Sequence, residues 1–117
     1  IPDLQDKLTA NAVRVPTPNG SLAILNLEIK KEVTLEELNN SIKKAALNGE
    51  LVNQIYFAFD PEMVSSDIIG NSCCSVFDSN ASIVSKDGKN IVLYAWYDNE
   101  FGYSTKLIDL AQHIHSV

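Results

Sequence analysis

The sequence predicts an α+β fold: a largely antiparallel or mixed sheet with its helices packed on one face. Three observations carry that prediction. Residues 25–30 (Leu-Asn-Leu-Glu-Ile-Lys) alternate apolar and polar side chains at every step, the period of a strand with one buried face. Thr34 and Glu37 stand at capping-box spacing, ahead of apolar residues that recur every three or four positions. Two apolar runs flank Asp87-Gly88, the pair favoured at the centre of a tight primed turn between antiparallel strands.

Taken in chain order, Ala12-Val13-Arg14-Val15 reads as a short strand. It ends where Pro16-Thr17-Pro18-Asn19-Gly20 begins, because two prolines fix φ and remove two N–H donors, leaving a stiff turn. The alternating strand at 25–30 follows. The helix opens at Thr34, with Val33 and Leu38 placed for a hydrophobic staple. Leu35, Leu38, Ile42, Ala45 and Ala46 line its inner face, Lys43 and Lys44 fall in later turns where they favour the macrodipole, and Gly49 supplies the stop. Gln54 to Phe59 is an aromatic-rich strand ended by Asp60-Pro61, and Val64 to Ile69 is expected to be extended. Residues 70–80 are polar and read as loop. Ser82–Ser85 and Ile91–Tyr97 form the hairpin. Beyond Tyr97 the period changes again, and Tyr103, Leu107, Leu110, Ala111 and Ile114 share a helical face that Asp98 or Asn99 can cap.

At 117 residues the chain has the size of one domain, with 45% hydrophobic and 21% charged residues, near the average for water-soluble globular proteins. No apolar run approaches the roughly 20 residues of a membrane span, and the mean hydropathy is −0.02. A net charge of −6 argues against wrapping nucleic acid or lying on an anionic membrane. The first residue is Ile, with no basic or apolar leader after it, so the expectation is a processed chain or a fragment. The only cysteines, Cys73 and Cys74, are adjacent, a poor geometry for a mutual disulfide, which favours a reduced, cytoplasmic setting.

Eight of the nine basic residues are lysines and Arg14 is the one arginine. Its planar fork suits a phosphate or carboxylate, and the stiff turn beside it would hold it ready; the bland alternative is an ordinary surface arginine. The stretch from Trp96 to Ser104 gathers four aromatics, two carboxylates and the Asn99 amide at a strand-to-helix junction. An amide donates and accepts at once, which suits recognition of a carboxamide, while an aromatic core corner with a helix cap would need the same residue types. Cys73-Cys74 lacks a nearby base or cation in sequence, so small loop residues are the better reading than a thiol nucleophile. His113 and His115 are two apart at a helix end and do not share a face, so no metal site is read there. There is no Gly-rich phosphate loop and no dinucleotide fingerprint.

Four segments in order then carry a family resemblance: Arg14-Val15-Pro16-Thr17-Pro18-Asn19, Val64-Ser65-Ser66-Asp67, Ser75-Val76-Phe77-Asp78, and Trp96-Tyr97-Asp98-Asn99-Glu100-Phe101-Gly102-Tyr103-Ser104. Along essentially its whole length the chain resembles the C-terminal part of the catalytic domain of phosphorylating, NAD-dependent glyceraldehyde-3-phosphate dehydrogenases, whose segments read RVPTPN, VSTD, SIFD and WYDNEWGYS. The resemblance implies that residues 1–117 are a partial catalytic domain. It implies that Arg14 binds the phosphate of the triose substrate or the incoming inorganic phosphate, that Asn99 hydrogen-bonds the nicotinamide carboxamide of NAD, and that Tyr103 helps wall the nicotinamide pocket. The family mechanism has a thiolate attack the aldehyde, hydride pass to NAD, and phosphate release the acyl group as an acyl phosphate. Family members assemble as homotetramers.

The departures bear on activity. The family's nucleophile segment SCTTN, its basic histidine and its N-terminal nucleotide-binding domain have no counterpart in these 117 residues. Cys73 and Cys74 fall where the family commonly carries residues such as Arg and Ser, so neither inherits the nucleophile's role, and Phe101 replaces the common Trp. The expectation is no catalytic residue, no metal and no turnover in this chain alone. Its uncovered apolar surface should promote self-association. Erythrose-4-phosphate dehydrogenase and a non-catalytic subunit-association module of the same fold are the alternatives.

Overall fold

The computed structural model describes all residues from Ile1 to Val117. It is an α+β fold with a mixed five-stranded sheet and two helices. The strand read at 25–30 is shifted upstream: β1 runs Ser21–Glu28, stops before Ile29 and Lys30, is exposed from Ile24 to Glu28 rather than buried on one face, and pairs antiparallel along its length with β5, Asn90–Tyr97. Strands β3 (Ser75–Asp78) and β4 (Ile83–Val84) both pair antiparallel with β5, and β2 (Ile55–Ala58) lies parallel to β3 at the far side.

The helix α1, Leu35–Asn48, forms as expected. The Thr34 hydroxyl accepts from the Glu37 backbone N–H at 3.2 Å while the Glu37 carboxylate accepts from the Thr34 N–H at 2.8 Å. These bonds satisfy donors that a helix start otherwise leaves orphaned. Its last turn holds no basic residue, so Lys43 and Lys44 do not serve the macrodipole. Lys43 instead lies 5.0 Å above the Phe59 ring, a cation–π contact. Ala46 and Ile42 pack on Phe57 and Phe77, with Ile55 and Leu93 at the margin. The adjacent residues Ala58 and Val76 face the other way, where Ile68, Met63 and Trp96 cover them. The sheet thus has a thin core on each face.

Three expectations need correction. Residues 12–15 are not a strand: the segment is exposed and unpaired, since four residues cut off by Pro16 and Pro18 find no ladder partner. Residues 64–69 are not extended, because Ser65–Ile68 coil into a 3-10 turn whose start is fixed by the Asp67 carboxylate accepting from the Val64 N–H at 2.8 Å. Residues 75–78, read as loop, are the interior strand β3, between β5 and β2. Val76 and Phe77 are both buried, one on each face, and a strand covered on both sides shows no alternation.

The hairpin between β4 and β5 is present, but its turn is not primed. Gly88 takes φ +69° while Asp87 does not go positive. The turn closes Ser85 to Gly88 with a 2.9 Å hydrogen bond, an ordinary turn followed by a left-handed glycine. Gly88 also accepts from the Val33 N–H at 3.0 Å, and a Cβ there would lie 2.9 Å from the Val33 carbonyl oxygen. The hairpin tip therefore locks the entry of α1. Helix α2, Phe101–Ser116, leaves the end of β5. Only its first turns touch the sheet region, through Gly102 against the Cys73 carbonyl and Lys106 Nζ donating to the Asn53 carbonyl at 2.8 Å.

Candidate functional site

The β1–β5 register dictates which loops meet. Ser21, the first residue of β1, stands opposite Tyr97, the last of β5. The Pro16–Gly20 turn that enters β1 is therefore brought beside residues 98–100 that leave β5. Two side-chain bonds cross between them: Asn19 Nδ2 donates to Asp98 Oδ1 at 2.9 Å, and Ser21 Oγ donates to Asn99 Oδ1 at 3.3 Å.

Asp98 is the centre of this junction. It is 3% exposed, and its Oδ1 also accepts from the backbone N–H groups of Glu100 (2.9 Å) and Phe101 (2.8 Å). Its Oδ2 accepts from the Gly70 N–H at 2.8 Å. These four bonds, the one from Phe101 foremost, hold its carboxyl down at about pKa 2 against the opposing effect of burial. Of the two candidate caps, Asp98 does the capping, and Asn99 is left exposed. The Asn99 amide keeps capacity beyond its bonds to Ser21 and to Glu100 Oε1 (3.2 Å), since its NH₂ has a second proton and its oxygen a second lone pair.

The remaining site residues are more open. Arg14 is exposed and makes no hydrogen bond or ion pair within the chain, so its guanidinium is free for an external anion. Tyr103, one helical turn past Asn99, is 70% exposed. Phe101 is exposed too, and only Trp96 of the aromatic group joins a core cluster, with its indole N–H donating to Asp78 Oδ2 at 3.3 Å. The aromatics at 96–103 are thus not a closed core corner. Neither Arg14 nor Tyr103 hydrogen-bonds the Asn99 side chain, whose partners are Ser21 and Glu100. The open cleft between β2 and the 65–68 turn, lined by Tyr56, Phe59, Met63 and Asp67 among others, contains none of these residues.

Cys73 and Cys74 are both free, Cys74 exposed with its thiol donating to Gln54 Oε1 at 3.3 Å. Burial pushes the Cys73 thiol up, with Lys106 opposing more weakly, which is the wrong direction for an activated thiolate. His113 and His115 sit exposed in the last turn of α2. No group of three metal-ligating side chains comes together, and no helix is long and apolar enough to cross a membrane. What sequence reading passed over was the part played by Asn19, Ser21 and Gly70. Asp98 carried a usable signal, an aspartate two and three residues ahead of the N–H groups that open a helix.

The fold and this junction define a domain in which the proline-rich turn that follows Arg14 is bonded to the loop carrying an exposed amide, Asn99, at one end of a mixed sheet. A family model described as glyceraldehyde 3-phosphate dehydrogenase, C-terminal domain, matches residues 1–99, and the chain belongs to that family. A protein of Pseudomonas aeruginosa (strain UCBPP-PA14) named glyceraldehyde-3-phosphate dehydrogenase-like protein is 44% identical over 117 residues, covering 100% of this chain and 25% of the relative. Two proteins named glyceraldehyde-3-phosphate dehydrogenase are similar to the same degree. That of Geobacillus stearothermophilus is 44% identical over 99% of this chain and 34% of its own length. That of Streptomyces coelicolor (strain ATCC BAA-471 / A3(2) / M145) is 44% identical over 94% of this chain and 32% of its own length. The chain spans a quarter to a third of the length of these relatives.

Proposed function

We propose that this chain is the C-terminal catalytic portion of an NAD-dependent oxidoreductase that converts glyceraldehyde 3-phosphate, NAD and phosphate to 1,3-bisphosphoglycerate and NADH, in the cytoplasm. The observation that carries the reading is the cross-linking of the Arg14–Asn19 turn to the Asp98–Asn99 loop, the two segments of the chain most similar to the family's motifs, by Asn19–Asp98 and Ser21–Asn99 bonds. Arg14 presents an unpaired guanidinium to the phosphate of the triose or to inorganic phosphate, with the geometry a forked cation gives an oxyanion. The Asn99 amide offers one donor and one acceptor to the nicotinamide carboxamide, which orients the ring. Tyr103 adds an exposed aromatic wall one turn further on.

These residues fit the nicotinamide end of NAD, and only that end, since no glycine-rich loop is present in the 117 residues to take its pyrophosphate. When bound, NAD accepts hydride from the substrate. The nucleophile and base come from outside this chain, so it does not turn over substrate alone. The exposed apolar residues of β1 and α2 support homo-oligomeric assembly, a tetramer by family resemblance. In the full-length parent enzyme, Arg14→Ala should raise the KM for phosphate or triose at least about 10-fold, in line with losing a charged hydrogen-bond pair. NAD binding should stay near wild type in that variant. Asn99→Ala should act on the NAD KM alone. Unchanged kinetics in both variants would reject the reading in favour of a structural module.

A further inference from the structure

We propose that Asp98 is a positioning residue that holds the Arg14 turn and the Asn99 amide in one register, so that the anion contact and the cofactor contact are made together. The inference rests on the functional reading above and deepens it.

The four groups that meet the Asp98 carboxylate are all donors, and they come from three separate segments: Asn19, Gly70, and the Glu100–Phe101 start of α2. Only an ionised carboxylate takes donors at both oxygens while presenting none of its own. An asparagine in its place must turn an NH₂ toward at least one of those N–H groups. The bond to Asn19 is one of two rungs between the same two segments, the other being Ser21 to Asn99. The residue after Asp98 is Asn99 itself, so a displaced Asp98 backbone moves the amide that faces the cofactor. On the other side, Pro16 and Pro18 fix φ at two of the four residues between Arg14 and Asn19. A shift at Asn19 is therefore carried toward Arg14 rather than absorbed. Arg14 and Asn99 share no hydrogen bond; the buried residue that bonds Asn19 on one side and precedes Asn99 on the other is Asp98.

Steady-state kinetics of the full-length parent enzyme test this with Asp98→Asn and with Asn19→Ala, which cuts the cross-segment bond but leaves the cap on α2. Asp98→Asn should raise the KM for phosphate and the KM for NAD together, each by about threefold or more. Asn19→Ala should move the same pair in the same direction by less. Wild-type KM values with only kcat per mole of protein reduced would mean loss of folded enzyme and overturn the proposal. So would a rise confined to one substrate. The functional reading fails separately, if Arg14→Ala and Asn99→Ala leave both KM values unchanged. In the 117-residue chain, the side-chain amide NMR signals of Asn19 and Asn99 should shift together in Asp98→Asn. Movement of Asn19 with Asn99 fixed contradicts the positioning role whatever the activity.

Discussion

Asp98 carries a charge into the interior with no lysine or arginine paired to it, which is tolerable only because its four bonds come from fixed donors. Its carboxyl drops from an ordinary 3.8 to about 2 on folding. A depressed carboxylate contributes stability that is present above the unfolded value and lost as pH falls through the folded one. The gap in unfolding free energy between wild type and Asp98→Ala should therefore be on the order of 2 kcal/mol near neutrality, the scale of hydrogen bonds to a charged group. It should narrow between about pH 4 and pH 2. Urea titrations at three pH values check this, and a gap independent of pH would contradict it. Arg14 behaves oppositely at this scale. Its guanidinium makes no hydrogen bond or ion pair in the chain, so Arg14→Ala should cost little stability and act on function alone.

Among the elements, the start of α2 shows how close approach overrides propensity. Gly102 is buried, and a Cβ at that position would stand 3.0 Å from the Cys73 carbonyl oxygen, a backbone atom with little freedom to retreat. On an exposed helix, Gly→Ala stabilises by about 1 kcal/mol; here overpacking costs roughly 1–3 kcal/mol, so Gly102→Ala should be net destabilising. A raised melting temperature in that variant would show that α2 does not seat on the Cys73 loop. The same elements show what was legible in the sequence. Helix α1 could be read because its cap, period and stop are local, and β1 and the hairpin because alternation and Asp-Gly are local too. Strand β3 could not, since it is covered by α1 on one face and by the 65–68 turn on the other, which removes the alternation that marks a half-buried strand. The false strand at 12–15 had the right residues and no partner. At the site, Arg14, Asn99 and Tyr103 were named from motifs. The Asn19–Asp98 and Gly70–Asp98 bonds join residues 79 and 28 positions apart, and no local pattern encodes such a pairing.

At the scale of the whole molecule, the two thin cores leave much apolar surface open. Ile24, Leu25 and Leu27 on β1, and Leu107, Leu110 and Ile114 on α2, are all exposed. The alternation of β1 and the helical stripe of α2 are thus faces without a partner inside this chain. That agrees with a chain spanning a quarter to a third of its relatives' length. The turn that follows Arg14 is bonded to the loop that carries Asn99; under the function proposed above, the reacting thiolate and its base belong to other residues of the parent enzyme. The most direct measurement is phosphate-dependent NADH formation by the pure 117-residue chain beside the full-length parent enzyme, with triose phosphate as substrate and full-length contaminant excluded by intact mass. The expected result is turnover by the parent and none by the chain alone. Sustained, phosphate-dependent turnover by the chain would contradict it.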